Sequence, residues 1–343
     1  MAYISFQPSD YFNTKLWTGN STNNTAITGV GFQPDMVWIK NRSTTDNHAI
    51  FDAIRGATYR IYPNATDAQI QATNSLASFD SDGFTLNDGG DANGVGENIV
   101  GWNWKANGSG SSNTDGSITS TVSANTTSGF SISTYTGTGA NATVGHGLGV
   151  APKMIICKRL NSAGSWLTYH SSIGATKYLL LDTTAAEGTA TNVWNDTEPT
   201  TSVFSLGNNA AINASGGTYV AYCFAEKTGF SKFGQYTGNG NADGTFIYTG
   251  FKPAFIITKK TSATSPWHIY DNQRANPFNV VSGKLVADAS SVEAVGVECD
   301  FLSNGVKIRA SGSDLNGSGA SFIYMAFAEH PLVSSNDIPS TAR

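Results

Sequence analysis

Charge is what this 343-residue chain has least of. Asp, Glu, Lys and Arg together make up 13% of it, about half the roughly 25% usual for a soluble domain. The 20 basic residues are scattered and the net charge is -5, so no basic cluster with aromatic neighbours exists to hold a nucleic-acid backbone. Cysteine is scarce too. Cys157, Cys223 and Cys299 are an odd count without a CxxC pair, which argues against a disulfide framework or a cysteine metal site and for small thiols packed in strands of a protein made in a reducing compartment. No apolar run approaches the roughly 18 to 20 residues that span a bilayer, so membrane insertion is not expected. The opening stretch MAYISFQPSDYFN has no basic region, apolar run or cleavage site of a secretory signal.

What the chain does have is Gly, Ser, Thr and Asn between short apolar runs, and an internal repeat. GFQPDMVWIKNR begins at Gly31, GVAPKMIICKRL at Gly149 and GFKPAFIITKKT at Gly250; Pro34, Pro152 and Pro253 each precede a lysine, Lys40, Lys158 and Lys259, by six positions. Each copy opens with an aromatic-Thr-Gly triplet, at Trp17, Tyr135 and Tyr236, and the aromatic stands 17 residues before the marker proline every time. Each copy closes with an Asn-led turn and a strand: NGVGENIVGWNWKA from Asn93, NASGGTYVAYCFAE from Asn213 and NGSGASFIYMAFAE from Asn316.

In the closing strands Val100, Trp102 and Trp104 align with Val220, Tyr222 and Phe224 and with Ile323, Met325 and Phe327. Large apolar residues at alternate positions predict one pleated face on a core. The marker runs, apolar at four successive positions, predict strands buried on both faces, inside a sandwich or beneath a neighbouring copy, with the lysine emerging into water. Turn residues recur every eight to twelve positions, around short strands such as DGFTLN, SVFSLG and NGVKIR, as in antiparallel sheets joined by tight turns. The expected fold class is all-β, three tandem related β-sandwich or jelly-roll units. The divisions are 1–108, a Gly/Ser/Thr/Asn-rich linker at 109–125 whose middle could form an edge strand, 126–228, 229–332, and a C-terminal tail at 333–343. A period of about 100 residues makes these domains or thirds of a pseudo-threefold body.

Chemistry-bearing residues are few. His48, His146, His170, His268 and His330 are scattered, with no HExxH or other metal spacing. His170 occupies the place of Asp52 and Asp271 in the other copies, which suggests a polar side chain serving a turn. Asp88, Asp91 and Glu97 lie in a Gly-rich loop that could gather calcium, but the other copies replace these acids, so a solvated turn is the simpler reading. The stretches GTGANATVGHGLG and GNGNADG lack the following helix of a phosphate loop and read as hairpin turns. No acid pair recurs in all copies to suggest glycoside hydrolysis. We therefore expect no catalytic residue, metal or cofactor. Trp17, Tyr135 and Tyr236, with Trp166 and Trp267 at a second landmark, are the candidates for stacking on sugar rings or for burial at an interface.

Taken together, GFQPDMVWIKNRS, DAIRGATYRIY, SDGFTL, NTDGSITSTVSANTTSGFSI, YTGTGANATVGHGLGVAPKMIICK, GATKYLLLDTTAA, TYVAYCFAE and DFLSNGVKIR resemble the repeat-built virion surface proteins of marine tailed bacteriophages, over nearly the whole chain. The resemblance implies a non-enzymatic virion protein assembled in the host cytoplasm: a tail fibre or appendage module for host attachment, or else a head decoration or head fibre, or a polysaccharide-binding or depolymerising spike. Its expected partners are other virion proteins, further copies of itself in a homo-oligomer, a trimer for preference, and host cell-surface glycan.

Overall fold

The computed structural model describes residues 7–274 and 279–329 and two short backbone pairs, Leu332–Val333 and Pro339–Ser340. His330 and the remainder of the C-terminal tail lie outside the described residues. The chain is all-β, with helices of a single turn. One strand order occurs three times. Phe12–Thr18 pairs with Asn98–Trp104, which pairs with Met36–Asn41, which pairs with Ala49–Asp52. The same order links Phe130–Thr136, Thr218–Phe224, Met154–Arg159 and Leu167–His170. It links Ser231–Thr237, Ser321–Ala328, Pro253–Lys260 and Trp267–Asp271 as well. We call these the first, second and third strand sets. A second layer lies over each, built on Thr25–Thr28 with Gly83–Leu86, on Ala142–Gly145 with Val203–Leu206, and on Phe246–Tyr248 with Gly305–Ile308.

Strand pleating sends alternate residues to opposite faces, and both faces of the marker strands are buried because they meet different cores. Met36 and Trp38, Met154 and Ile156, and Phe255 and Ile257 enter one apolar core shared by all three sets. Val37 and Ile39, Ile155 and Cys157, and Ile256 enter three separate cores beneath the second layers. At the centre of the shared core Trp104, Phe224 and Phe327, the matched residues of the three closing strands, form a closed triangle of edge-to-face rings with centroids 5.8–6.3 Å apart. Such pairs each contribute about 0.5–1.5 kcal/mol beyond the area they bury.

The segment expected as a linker is folded. Ser111–Asn113 and Ser120–Asn125 extend the second set past its opening strand, and Ile118 and Val122 are buried. Polar composition hid this because only alternate residues of a strand with one face toward solvent need an apolar partner.

The landmarks of each repeat are one hydrogen-bonded device. Asn93, Asn213 and Asn316 end single-turn helices and are fully buried. Each Nδ2 donates to two carbonyls, those of Thr22 and Asn87, of Ala140 and Gly207, and of Asn241 and Ala310. Each Oδ1 accepts a backbone N–H from the loop after the opening strand, that of Asn20, Thr138 or Asn239. The aromatic of the opening triplet donates to the carbonyl just before that asparagine: Trp17 Nε1 to Ala92 at 3.0 Å, and Tyr135 and Tyr236 hydroxyls to Ile212 and Leu315 at 2.8 Å. The triplet glycine is required by close approach: a Cβ on Gly19, Gly137 or Gly238 would fall 2.1, 2.5 or 2.4 Å from a carbonyl oxygen following the asparagine.

Asn213→Ala strands two buried carbonyls and one amide, each costing about 1–3 kcal/mol when left unpaired. We expect it to lower unfolding stability by about 3 kcal/mol or more, measured by urea denaturation, with Asn93→Ala and Asn316→Ala behaving alike.

Candidate functional site

The polar side chains that the sequence sets at matched positions gather at the seams between strand sets. Asp52 Oδ1 accepts the N–H groups of Ile54 and Arg55, Asp271 Oδ1 those of Gln273 and Arg274, and His170 Nδ1 that of Ser172. This is the turn-forming role expected of the position. The free end of each side chain crosses a seam. Asp52 Oδ2 accepts from Arg55 Nε at 2.5 Å and from the Tyr222 hydroxyl of the second set at 2.7 Å. Asp271 Oδ2 accepts from Arg274 Nε at 2.5 Å and from Trp102 Nε1 of the first set at 2.9 Å. The remaining seam faces Met325, which has no N–H or O–H to give. There the acid is His170, its Nε2 donates to the Tyr324 carbonyl at 3.2 Å, and Ile173 stands where Arg55 and Arg274 stand. Donor, acid and arginine change together, so no charge is left unpaired.

A second ring of contacts closes the same seams. Trp166 Nε1 donates to the carbonyls of Tyr62 and Ala65 in the first set, Trp267 Nε1 to Leu180 in the second, and His48, at their matched position, bonds through Nε2 to Val286 in the third at 3.0 Å. Beside them run main-chain bonds from Gln69 to Leu160, Glu187 to Thr261 and Glu293 to Arg42, of 2.8–3.0 Å. Each set thus reaches into another in cyclic order, and Arg42 and Arg274 both pair with Glu293 at the closing seam.

The marker lysines correct an expectation. Lys40, Lys158 and Lys259 do not emerge into water; all three are fully buried. Lys158 Nζ donates to the carbonyls of Thr66, across the seam, and Gly164; Lys259 Nζ donates to Thr184, across the next seam, and Ser265; Lys40 Nζ donates to Asn41 and Thr44. Burial lowers each ammonium to a pKa of about 8. A strand end looks exposed in a linear reading, and at Lys158 and Lys259 the neighbouring set helps to cover it.

Of the candidate stacking aromatics, Trp166 and Trp267 are sealed in the seams and Tyr135 and Tyr236 in the second-layer cores. None of these four offers a ring face to a sugar. Trp17 is half-buried, edge-on to Phe84. In the acidic loop Asp91 is turned to Arg60 and Ser75, and Glu97 to Asn41. Among the described residues no three His, Cys, Asp or Glu side chains come together as a metal site. The histidine rings of His48, His146 and His170 are neutral and engaged at both nitrogens: Nδ1 accepts from Trp38 Nε1, Leu148 N and Ser172 N, while Nε2 donates to a carbonyl. Burial holds His48 at about 3 and His170 at about 4. Sequence reasoning missed Trp102, Tyr222, Arg55 and Arg274; the signal was the paired exchange of Asp for His170 and of Trp or Tyr for Met325 between aligned copies.

An all-β chain whose three strand sets share one core and interlock cyclically is the class of protein these contacts define. The chain belongs to the family described as "Domain of unknown function (DUF7483)", whose profile spans residues 7–331, a single profile across all three sets. No curated protein and no solved structure matches it.

Tyr222→Phe removes a hydrogen bond to a buried charge and is expected to cost about 1.5–3 kcal/mol. Asp52→Ala leaves Arg55 unpaired and is expected to cost about 3–5 kcal/mol; both are read by denaturant unfolding. The histidines set an acid limit: an unfolded imidazole titrates at about 6.5, so below that pH the unfolded chain binds more protons, and stability falls from about pH 6.5 toward 4. The lysines act at the other end. An unfolded lysine titrates at about 10.4, so between pH 8 and 10 the unfolded chain again holds more protons and stability rises with pH. Thermal unfolding midpoints are expected to be lower at pH 4.5 than at pH 7.5. Above about pH 8.5 the buried thiols of Cys157, Cys223 and Cys299, raised by burial, oppose the lysines, so the lysine contribution is read by comparison: Lys158→Met is expected to lower the midpoint at pH 9.5 relative to that at pH 7.5, against the parent.

Proposed function

We propose that this protein is a non-enzymatic structural protein of a tailed phage particle, and that its three strand sets are tandem copies of one β-sandwich unit, about residues 1–108, 126–228 and 229–332, closed into a pseudo-threefold body. The 109–125 segment belongs, in this reading, to the second unit. The cyclic seam is the observation that carries it. Heterologous contacts generate a closed ring when their rotation returns to the start, and Tyr222 to Asp52, Trp102 to Asp271 and His170 to Tyr324 complete one turn. A homotrimer was expected in order to cover the edges of three sandwiches; in this proposal the three bodies are supplied within one chain.

The body has two unlike ends. Phe12, where the first opening strand begins, pairs with Trp104, and Ala328, where the last closing strand ends, pairs with Pro253. The first opening strand therefore begins, and the last closing strand ends, at the end marked by the aromatic triangle, from which both crossings between sets also start. The opposite end carries the three matched loops at 20–24, 138–141 and 239–243, exposed and rich in Asn, Gly, Ser and Thr. A body that presents three exposed, polar loops at one end suits an appendage that meets the host. Together with the motif resemblance, this favours a tail attachment module.

Immunogold labelling of purified particles tests the proposal. We expect label on the tail, at a small multiple of three or six copies per particle. Hundreds of copies over the head would make it a decoration protein, and absence from the particle would overturn the virion reading.

A further inference from the structure

The second strand set carries a surface feature built on its two added strands. A groove of about 290 Å³ runs between its added strands and its closing strand, lined by Ser112, Thr119, Ser120, Thr121, Thr134 and Thr136, with Leu160 and Thr218 on the far wall. The volume is at the lower edge of the roughly 300–1,000 Å³ typical of small-ligand sites. Thr121 pairs with Thr134, and Thr136 with Thr218, across neighbouring strands, so the threonines form a two-dimensional array and not a single row. The side chains of Thr119, Thr121, Thr134, Thr136 and Thr218 have no hydrogen-bond partner among the described residues. Three further lining hydroxyls are committed inward: Ser120 to the Gly145 carbonyl, Tyr135 to Ile212 and Tyr219 to Ala210.

We propose that this groove binds a neutral saccharide, a proposal that deepens the attachment reading and rests on it. Each threonine offers a hydroxyl that donates and accepts beside a methyl group, which matches a pyranose, whose hydroxyls alternate with C–H faces. No charged side chain lines the groove, so an anionic glycan or a phosphate has no counter-charge here. The site lies at the end of the body that bears the exposed loops, since Thr136 and Thr218 are the last pair before the turns at Gly137 and Gly217. Its lining comes from the second set. At the places of Thr134, Leu160 and Thr218 the first set has Leu16, Arg42 and Asn98 and the third has Gln235, Thr261 and Ser321, and among the described residues neither has strands corresponding to Ser111–Asn113 and Ser120–Asn125. Stacking is absent from this recognition, in keeping with the burial of Tyr135 and Trp166.

Saturation-transfer NMR on the full chain, with maltotriose, mannotriose and galactotriose as neutral probes and sialyllactose as the anionic control, tests the site. We expect transfer to at least one neutral trisaccharide. We expect at least tenfold weaker binding in Thr134→Trp, which fills the groove, and in the combined Thr121→Val, Thr134→Val and Thr136→Val variant, which keeps shape and removes hydroxyls. The thermal midpoint of the valine variant, at partly or fully exposed positions, should stay within about 2 °C of the parent, separating lost binding from lost folding. Absence of transfer to every neutral probe, or undiminished binding by Thr134→Trp, would overturn the groove proposal. Either result leaves the particle-labelling outcome untouched, so failure of this site and failure of the virion reading are distinguishable.

Discussion

The structure depends on one constraint: the large sheet of every strand set is apolar on both faces, and a set has only one second layer to cover it. Trp102 and Trp104, Tyr222 and Phe224, Met325 and Phe327 all face away from their own second layers. Left alone, each set would present a wall of large side chains to water, at about 25 cal/mol for every Å² of apolar surface. Three such walls facing one another remove the exposure together. The edge-to-face triangle of Trp104, Phe224 and Phe327 lies where they converge. The family profile, running unbroken from 7 to 331, fits a body whose parts share a core.

Hydrophobic contact is non-directional, so a shared core alone does not fix which set meets which. The seams supply direction. Buried polar groups that are costly when unpaired act as register marks, and the marks here differ from seam to seam. Tyr222 needs the acceptor Asp52; Trp102 needs Asp271; at the third seam a backbone carbonyl needs the His170 ring. Buried Lys158 and Lys259 add a second requirement, since each ammonium satisfies carbonyls of two sets at once. These lysines sit on strands that a propensity argument alone would leave apolar.

The acid and alkaline behaviour has the same origin. A ring held neutral by donating at one nitrogen and accepting at the other cannot take up a proton without turning an acceptor against a donor. His48 is in that position against Trp38, and His170 against the amide of Ser172. The low-charge composition and this titration behaviour are therefore linked: with few ions on the surface, buried titratable groups dominate how stability responds to pH.

Much of the local structure was legible in the linear pattern. Alternation in IVGWNW, YVAYCF and FIYMAF predicted the closing strands, and four apolar residues in succession predicted marker strands covered on both faces. The aromatic-Thr-Gly triplet and the leading asparagine were visible as landmarks although their partnership was not. The linker was read as at most one edge strand because the 109–125 strands are short and polar in sequence, and the lysines were misread because the cover over a strand end comes from residues more than ninety positions away for Lys158, as with Thr66. Pleating and turn geometry act over a few residues, so sequence by itself determined the strands and their buried faces. The seams, the burial of Trp166 and Trp267, and the threonine groove join residues separated by most of a repeat or more. Those were decided by the tertiary structure, because only the closed arrangement brings the complementary donors, acceptors and apolar walls within contact distance.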